Sequence, residues 1–291
     1  MPELPEVECL RRSLEPILLG RTIASASLLR ADILSTDPAA PAASASRSLL
    51  AGLAVADLQR HGKQLAIIAR GPRASVRILV IQLGMSGQLL FFPNRAAPSS
   101  LDHVHARWSL SQSPAKSAQT RHSGILVFRD PRRFGGIWAS NSLDSLRKRW
   151  NSLGPDALSI TPDILRARLG RTSRPVKSAL LDQSILAGVG NIYADEALFR
   201  AGINPAAPSD SLAPPKLKRL ATSIRGVLAD SIASGGSTLR DYRNATGKTG
   251  EFQTRRSVYG RGGEPCYGCG RPLTTARLAQ RTTTWCASCQ P

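Results

Sequence analysis

Four of the five cysteines fall in the last 26 residues, as Cys266-x2-Cys269 and Cys286-x2-Cys289, with sixteen residues between the pairs. Two knuckles at that distance suit four thiolates around one tetrahedral zinc on a β-hairpin. Two disulfides are the weaker alternative for a chain expected to stay in a reducing compartment. With all four ligands drawn from protein, no position is left for water, so the expected cofactor is one structural Zn2+. In a module this small the metal supplies most of the folding free energy, on the order of 10 kcal/mol. The stretch between the knuckles, RPLTTARLAQRTTTW, carries three arginines and no acid. Such a hairpin, with Arg277 or Arg281 at its tip, suits a nucleic-acid groove, and otherwise reads as a solvated basic loop. Cys9 stands apart, which argues against a fully paired disulfide framework.

The remainder of the 291-residue chain is long enough for further domains with cores of their own. Apolar residues make up 42% of the whole chain, a globular proportion. No apolar run reaches the ~18–20 residues of a membrane helix. The opening MPELPEVE has no apolar segment of a secretory signal, so the expectation is an intracellular chain, in the cytoplasm or nucleoid of a bacterium, with no membrane partner. The formal net charge is +19, from 39 Lys and Arg against 20 Asp and Glu. An excess of that size points to a polyanionic partner, because each phosphate contact releases a counterion. Arginine far outnumbers lysine, which suits forked phosphate contacts.

Residues 5–19 read as a helix, with Pro5 at its start and Val7, Leu10, Leu14, Ile17 and Leu18 at helical spacing, ended by Gly20. The segments 22–29, 51–60, 63–70, 75–83, 86–92, 103–110, 124–129 and 135–139 are short, rich in β-branched and aromatic residues, and separated by Gly, Pro and Asp. In 103–110, Val104, Ala106, Trp108 and Leu110 alternate with His103, His105, Arg107 and Ser109. Many strands without intervening helices imply an antiparallel sandwich or barrel. The Ala/Ser/Pro-rich stretches 36–48 and 111–123 read as surface loops. After about 141 the pattern turns helical, with helices expected at 162–169 behind a Thr161 cap, 176–186, 191–201 and 212–233. The expected organisation is α+β: an N-terminal domain over 1–140, a linker at 141–152, a helical domain over 153–254, and the cysteine module over 255–291.

The N-terminus carries a second chemical signal. Once the initiator methionine is removed, Pro2 presents a secondary amine, and an α-amino group titrates near pH 8. Attack by such an amine on a sugar C1′ gives an iminium directly, an electron sink for elimination. Glu3 and Glu6 are two carboxylates within reach of it, as acid–base chemistry requires, although two acids at a helix start also satisfy the helix dipole.

PELPEVE, HGKQL at 61–65, QLGMSG at 82–87, DPRRFG at 130–135, LGP at 153–155, AGVGNIYADEALF at 187–199, VYGRGGEPC at 258–266 and the CxxC pairs with AQR at 279–281 together resemble the formamidopyrimidine-DNA glycosylases, from end to end. The resemblance implies an N-terminal β-sandwich, a helix–two-turn–helix domain and a C-terminal zinc finger. It implies a bifunctional glycosylase and abasic-site lyase that excises oxidised purines such as 8-oxoguanine and formamidopyrimidines and completes β,δ-elimination, acting as a monomer on duplex DNA with a damaged base. Pro2 is similar to the family's Schiff-base nucleophile, Glu3 to its acid and Glu6 to a supporting carboxylate. Lys63 joins this catalytic set, where the family has a lysine at the phosphate near the lesion. Met85, Arg132 and Phe134 match residues that fill the gap left by an extruded base, and Lys177, Asn191 and Arg281 match phosphate-contacting positions. The glycine-flanked Asn191 also opens a helix whose backbone N–H groups could hold a phosphate. The segment 244–254 falls where the family has a mobile loop capping the lesion. Gln82 and His105 depart from the family pattern, which bears on lesion preference. The His103-x-His105 pair is a poor metal site on its own. Alternatives are an endonuclease VIII-like enzyme acting on oxidised pyrimidines, against which Leu4-Pro5-Glu6-Val7 argues, and a non-catalytic zinc-ribbon DNA-binding protein.

Overall fold

Val7, Leu10, Leu14 and Leu18 fall on one stripe of helix α1 (Leu4–Leu18), and all four are buried. In the computed structural model residues 2–37, 48–72, 75–93, 101–111, 123–238 and 241–291 are described, and the chain divides into two compact units. The first takes residues 1–2, 6–151 and 235–250, and the second takes 3–5, 152–234 and 251–291.

Among the described residues the first unit holds nine strands: β1 (Ile23–Leu28), β2 (Leu34–Thr36), β3 (Ala54–His61), β4 (Gln64–Arg70), β5 (Val76–Gln82), β6 (Gln88–Pro93), β7 (Val104–Leu110), β8 (Gly124–Arg129) and β9 (Gly136–Ser140). They form a four-stranded sheet in the order β1-β7-β8-β6 and a five-stranded sheet in the order β2-β9-β5-β4-β3. Pairing is antiparallel except between β2 and β9. The two sheets and α1 share one core, in which Leu65, Ile67, Leu79 and Ile81 meet Leu89, Trp108, Leu126 and Phe128. Trp108 donates its indole N–H to the carbonyl of Leu49 at 3.0 Å. This is the expected sandwich. The Ala/Ser/Pro-rich stretches 36–48 and 111–123 lie, but for their ends, outside the described residues.

Strands β4 and β5 are buried on both faces, because a second core lies on the outer side of the five-stranded sheet. Ala66, Ile68, Ile78 and Val80 pack there with Leu146 and Trp150 of helix α2 (Leu143–Asn151). The segment 141–152, read as a linker, thus contains a helix. Leu143, Leu146 and Trp150 give it an apolar stripe at three- and four-residue spacing that its charged residues obscure. The indole of Trp150 donates to Gln64 Oε1 at 3.1 Å, which fixes α2 against the start of β4.

His103 and His105 do not share a strand face. A register shift between Val104 and Ala106 turns His105 inward, where it is 3% exposed, while His103 has a left-handed φ of +60° and is exposed. The pair offers no joint metal site.

The second unit contains α3 (Pro162–Leu169), α4 (Val176–Leu181), α5 (Asn191–Ala201), α6 (Pro214–Ala233) and the hairpin β10 (Thr274–Leu278) and β11 (Arg281–Trp285). Thr161 caps α3 by accepting the Ile164 N–H at 3.3 Å. Helix α4 ends at Leu181, short of the expected 186, because the next carboxylate competes for the chain: Asp182 Oδ1 accepts both the backbone N–H and the hydroxyl of Ser184. Tyr193 on α5 shares a 2.6 Å hydrogen bond with Ser231 on α6 inside the helical core.

One ion cluster on α1 sets an acid limit for the first unit. Glu8 receives Arg11 at 3.0 Å, Arg12 at 2.8 Å and Arg60 of β3 at 3.2 Å. Burial would raise this carboxyl, but those hydrogen bonds and charges hold it at about 2 instead of 4.5. A lowered folded value stabilises above the unfolded value and is lost as pH falls, so the contribution, on the order of 3 kcal/mol, is complete above pH 4.5 and disappears toward pH 2. Glu8→Gln is therefore expected to flatten the acid limb of stability between those values, read by denaturant melts at stepped pH, and an unchanged limb would assign acid sensitivity elsewhere.

Candidate functional site

In the first unit, Pro2 is buried at the head of α1. Glu6 is 1% exposed, and its Oε1 accepts the Ser237 N–H at 2.7 Å. The Tyr242 hydroxyl donates to the Glu6 carbonyl at 3.1 Å, and burial drives that phenol far above its ordinary titration range. The segment 235–250 is thereby fastened to α1. Ala245, fully buried, donates to Ser13 Oγ and accepts from the Phe91 N–H, and Gln88 donates to the Asp241 carbonyl. Asn244 Oδ1 closes the following turn on the N–H groups of Thr246 and Lys248. The composition of this stretch suggests mobility, yet its base is anchored in the core. Lys63 lies in the two-residue turn that joins β3 to β4.

Met85 sits in the turn between β5 and β6, and Arg132 and Phe134 in the turn between β8 and β9. Phe134 is 58% exposed, a large aromatic ring left in solvent, and the Arg132 guanidinium lies 5.2 Å above it.

In the second unit, Glu3 is 2% exposed and its Oε1 accepts the Ile192 N–H at 3.1 Å, at the N-terminus of α5. The carboxylate meets the positive end of the helix. Position 190 must be glycine for this approach, since a Cβ there would stand 2.3 Å from the Glu3 carboxyl carbon. The helix start is thus taken in part by Glu3 rather than left open for a phosphate.

Lys177 does not stand at the surface either. It is 1% exposed and pairs with Asp195 Oδ1 at 2.7 Å, while it donates to the Thr282 carbonyl and the Thr283 hydroxyl at 2.9 and 2.8 Å. Burial pushes Asp195 up to about 6 and lowers Lys177, each opposed by the partner's charge. Asn191 Nδ2 also donates to the Thr282 carbonyl, at 3.0 Å. Lys177 and Asn191 therefore hold the residue after Arg281, which is itself exposed. Ala279 and Gln280, both at positive φ, make the hairpin tip, with Arg281 opening β11 and Arg277 on β10.

Two acids that the sequence reading passed over complete the arrangement. Asp195 Oδ2 accepts the Thr284 N–H at 3.1 Å. Glu196 accepts the N–H groups of Ser257, Val258 and Tyr259 at 2.8–2.9 Å. Adjacent buried acids in an otherwise apolar helix are the signal that marks them.

The thiols of Cys266, Cys269, Cys286 and Cys289 lie within 4.8 Å of one another. That spacing suits four Zn–S bonds of about 2.3 Å around one ion. The four cysteines fit one structural zinc, over a small core of Val258 and Leu273.

Three family models match in chain order: the formamidopyrimidine-DNA glycosylase N-terminal domain over residues 1–137, the formamidopyrimidine-DNA glycosylase H2TH domain over 153–243, and the zinc finger found in FPG and IleRS over 263–291. The chain belongs to the formamidopyrimidine-DNA glycosylase family. Proteins named formamidopyrimidine-DNA glycosylase from Xanthomonas campestris pv. campestris and Stenotrophomonas maltophilia are 38% and 37% identical to it, each over the whole of both chains. The MutM (FPG) crystal structure from Thermus thermophilus superposes with a TM-score of 0.81 at 37% identity, covering 99% of this chain and 98% of that one. A Lactococcus lactis FPG mutant in complex with Fapy-dG-containing DNA gives 0.84 at 29% identity, covering 99% of both. The glycosylase family's β-sandwich, H2TH helices and zinc-finger hairpin are all present. Among the described residues no helix is long and apolar enough to cross a membrane.

Two outcomes follow for this family member. Lys177→Met leaves the Asp195 carboxylate buried without its counter-charge and is expected to cost about 3–5 kcal/mol in denaturant unfolding, most of it recovered in a K177M/D195L double variant. A stable single variant would mean that the lysine is not buried in solution. Chelation of the zinc, or Cys286→Ser, is expected to release the Thr283 and Thr284 amides to rapid hydrogen exchange while the Tyr193–Ser231 helix pair stays protected. Unchanged hairpin protection without metal would refute a folding role for the ion.

Proposed function

We propose that this chain is a bifunctional DNA glycosylase and abasic-site lyase that excises oxidised purines, 8-oxoguanine and formamidopyrimidines, from duplex DNA in the cytoplasm or nucleoid of a bacterium. The observation that carries the reading is a Glu3 carboxylate locked onto the α5 N-terminus, next in sequence to a buried Pro2, in a chain matched by the family models at both ends. The relative from Lactococcus lactis, solved with Fapy-dG-containing DNA, supports the substrate class.

In this reading the Pro2 amine attacks C1′ of the damaged nucleotide. The glycosidic C–N bond breaks and the base leaves with a proton; the C1′–O4′ bond then opens with a proton taken up at O4′, and a covalent iminium joins Pro2 to the ring-opened sugar. Loss of a C2′ proton then expels the 3′ phosphate, a second elimination expels the 5′ phosphate, and water returns the free amine. Glu3 supplies and takes protons at the sugar, and Glu6 supports it from α1. Lys63 holds phosphate beside the lesion. Extrusion of the base costs a few kcal/mol, and Met85, Phe134 and Arg132 offset it by replacing lost stacking and pairing with the orphaned base. Asn191 and Arg281 hold phosphates, and Lys177 contributes by holding the strand that carries Arg281. The organisation into domains over 1–140, 153–254 and 255–291 belongs to the same proposal, with the zinc finger as the third DNA-binding element.

Borohydride trapping on an 8-oxoguanine·cytosine duplex tests the nucleophile. The expected product is a covalent adduct that peptide mass spectrometry locates on Pro2, and Pro2→Gly is expected to lose at least about a hundredfold in base excision while DNA binding stays largely intact. Equal excision by that variant would sink the mechanism, and preferential trapping on thymine glycol would move the substrate to oxidised pyrimidines.

A further inference from the structure

The two turns that carry Met85, Arg132 and Phe134 share one carboxylate. Asp130 is fully buried. Its Oδ1 accepts the Ser86 hydroxyl at 2.5 Å and the Arg132 N–H at 3.2 Å, and its Oδ2 accepts the Gly135 N–H at 2.7 Å. Ser86, 3% exposed, also accepts the Arg132 N–H at 3.1 Å. The Asp130 backbone is fixed in turn, its N–H on the His103 carbonyl at 3.0 Å and its own carbonyl against His105 Nε2 at 2.9 Å. Each side-chain acceptor of this small network faces a donor that belongs to one turn or the other, and the Asp130 backbone is tied to β7 and its start.

The backbones interlock as well. Gly84 has a φ of +62°, and a Cβ built on it would stand 2.4 Å from the Phe134 carbonyl carbon, so the first turn lies directly on the second. Arg133, next to the carboxylate-bound Arg132, is held at a φ of +58°. A non-glycine residue in that region costs on the order of 1 kcal/mol and persists only where its surroundings impose it. Here the surroundings are the Asp130 hydrogen bonds on either side.

From these contacts we propose that Ser86 and Asp130 are positioning residues that assemble the wedge as one rigid body before DNA arrives. The proposal rests on the reading of Met85, Arg132 and Phe134 as the groups that replace an extruded base. Ser86 and Asp130 are too deeply buried to touch DNA, so they act only through the residues they hold. Ordering the wedge during folding removes the entropic cost of ordering it at the moment of base extrusion, where it would weaken every encounter. The consequence is specific: the network matters for lesions that must be pulled from a stacked duplex and not for sites already open.

The test compares two substrates across Ser86→Ala, Asp130→Asn and Arg132→Ala. One is an 8-oxoguanine·cytosine duplex, and the other is a single strand with an abasic site, which is cut without extrusion. Ser86→Ala is expected to lower kcat/KM on the duplex on the order of tenfold to a hundredfold while cleavage of the abasic strand stays within about twofold. Asp130→Asn is expected to deepen the same split, and Ser86→Ala carries the test alone should that variant not fold. Full duplex excision by Ser86→Ala, with Arg132→Ala impaired, would overturn the positioning role and leave the wedge reading standing. Full duplex excision by Arg132→Ala would overturn the wedge reading and the proposal with it. Equal losses on both substrates would mean that Ser86 serves stability alone, and would overturn the proposal too.

Discussion

Helix α5 is the element on which the second unit depends, and beside its apolar packing it is fixed by carboxylates taken out of water. Its Ile192 N–H meets Glu3, and its fifth and sixth residues, Asp195 and Glu196, reach the strand and loop of the zinc module. An unpaired buried carboxylate is among the most destabilising groups a core can contain, so each acid here fixes the position of whatever neutralises it. Asp195 fixes Lys177 and the Thr284 amide, and Glu196 fixes three successive amides before the first cysteine knuckle. A helix of eleven residues thereby sets the place of the N-terminal glutamate and of the strand that presents Arg281.

The same economy appears in the first unit with a different donor set. Glu8 gathers three guanidinium groups between α1 and β3, Glu6 takes a backbone amide of the returning segment 235–250, and Asp130 takes three donors from two turns. In a chain with a net charge of +19, the acids that organise these contacts, Glu3, Glu6, Glu8, Asp130, Asp195 and Glu196, are buried, while the surplus of arginine is mostly left outside. That division produces the basic exterior suited to a polyanion and the ordered interior at once, without a trade between them.

Period-two and period-3.6 patterns made most elements legible. Helix α1, the sandwich strands and α5 follow directly from the spacing of Leu, Val and Ile, and the cysteine spacing alone foretold the metal module. Helix α2 escaped because KRW and its neighbours mask a stripe of only three apolar residues, and β2 because three residues are too few to show a period. His105 turned inward through a bulge, which buries it beside Ala106 while Ala106, Trp108 and Leu110 keep the expected inward face, and leaves no mark in residue type. Among the site residues, those named by local motif are positioned by partners far away in sequence. Nothing around Lys177 announces Asp195 or Thr283, and nothing near Ser86 announces Asp130, because a buried polar partner is chosen by the fold and not by its neighbours along the chain.

The first unit is not a continuous stretch of chain. Its core includes Ala245, on a segment that follows more than eighty residues of the second unit, and Glu3 to Pro5 count with the second unit although they are made first. On a ribosome, the sandwich would lack one of its fastenings until residue 250 had cleared the exit tunnel, and the first few residues would wait for Gly188 and Ile192 to be synthesised. A nascent or C-terminally truncated chain that lacked α5 would leave Glu3 without the helix end that receives it, so the order of these first residues waits on synthesis of the second unit.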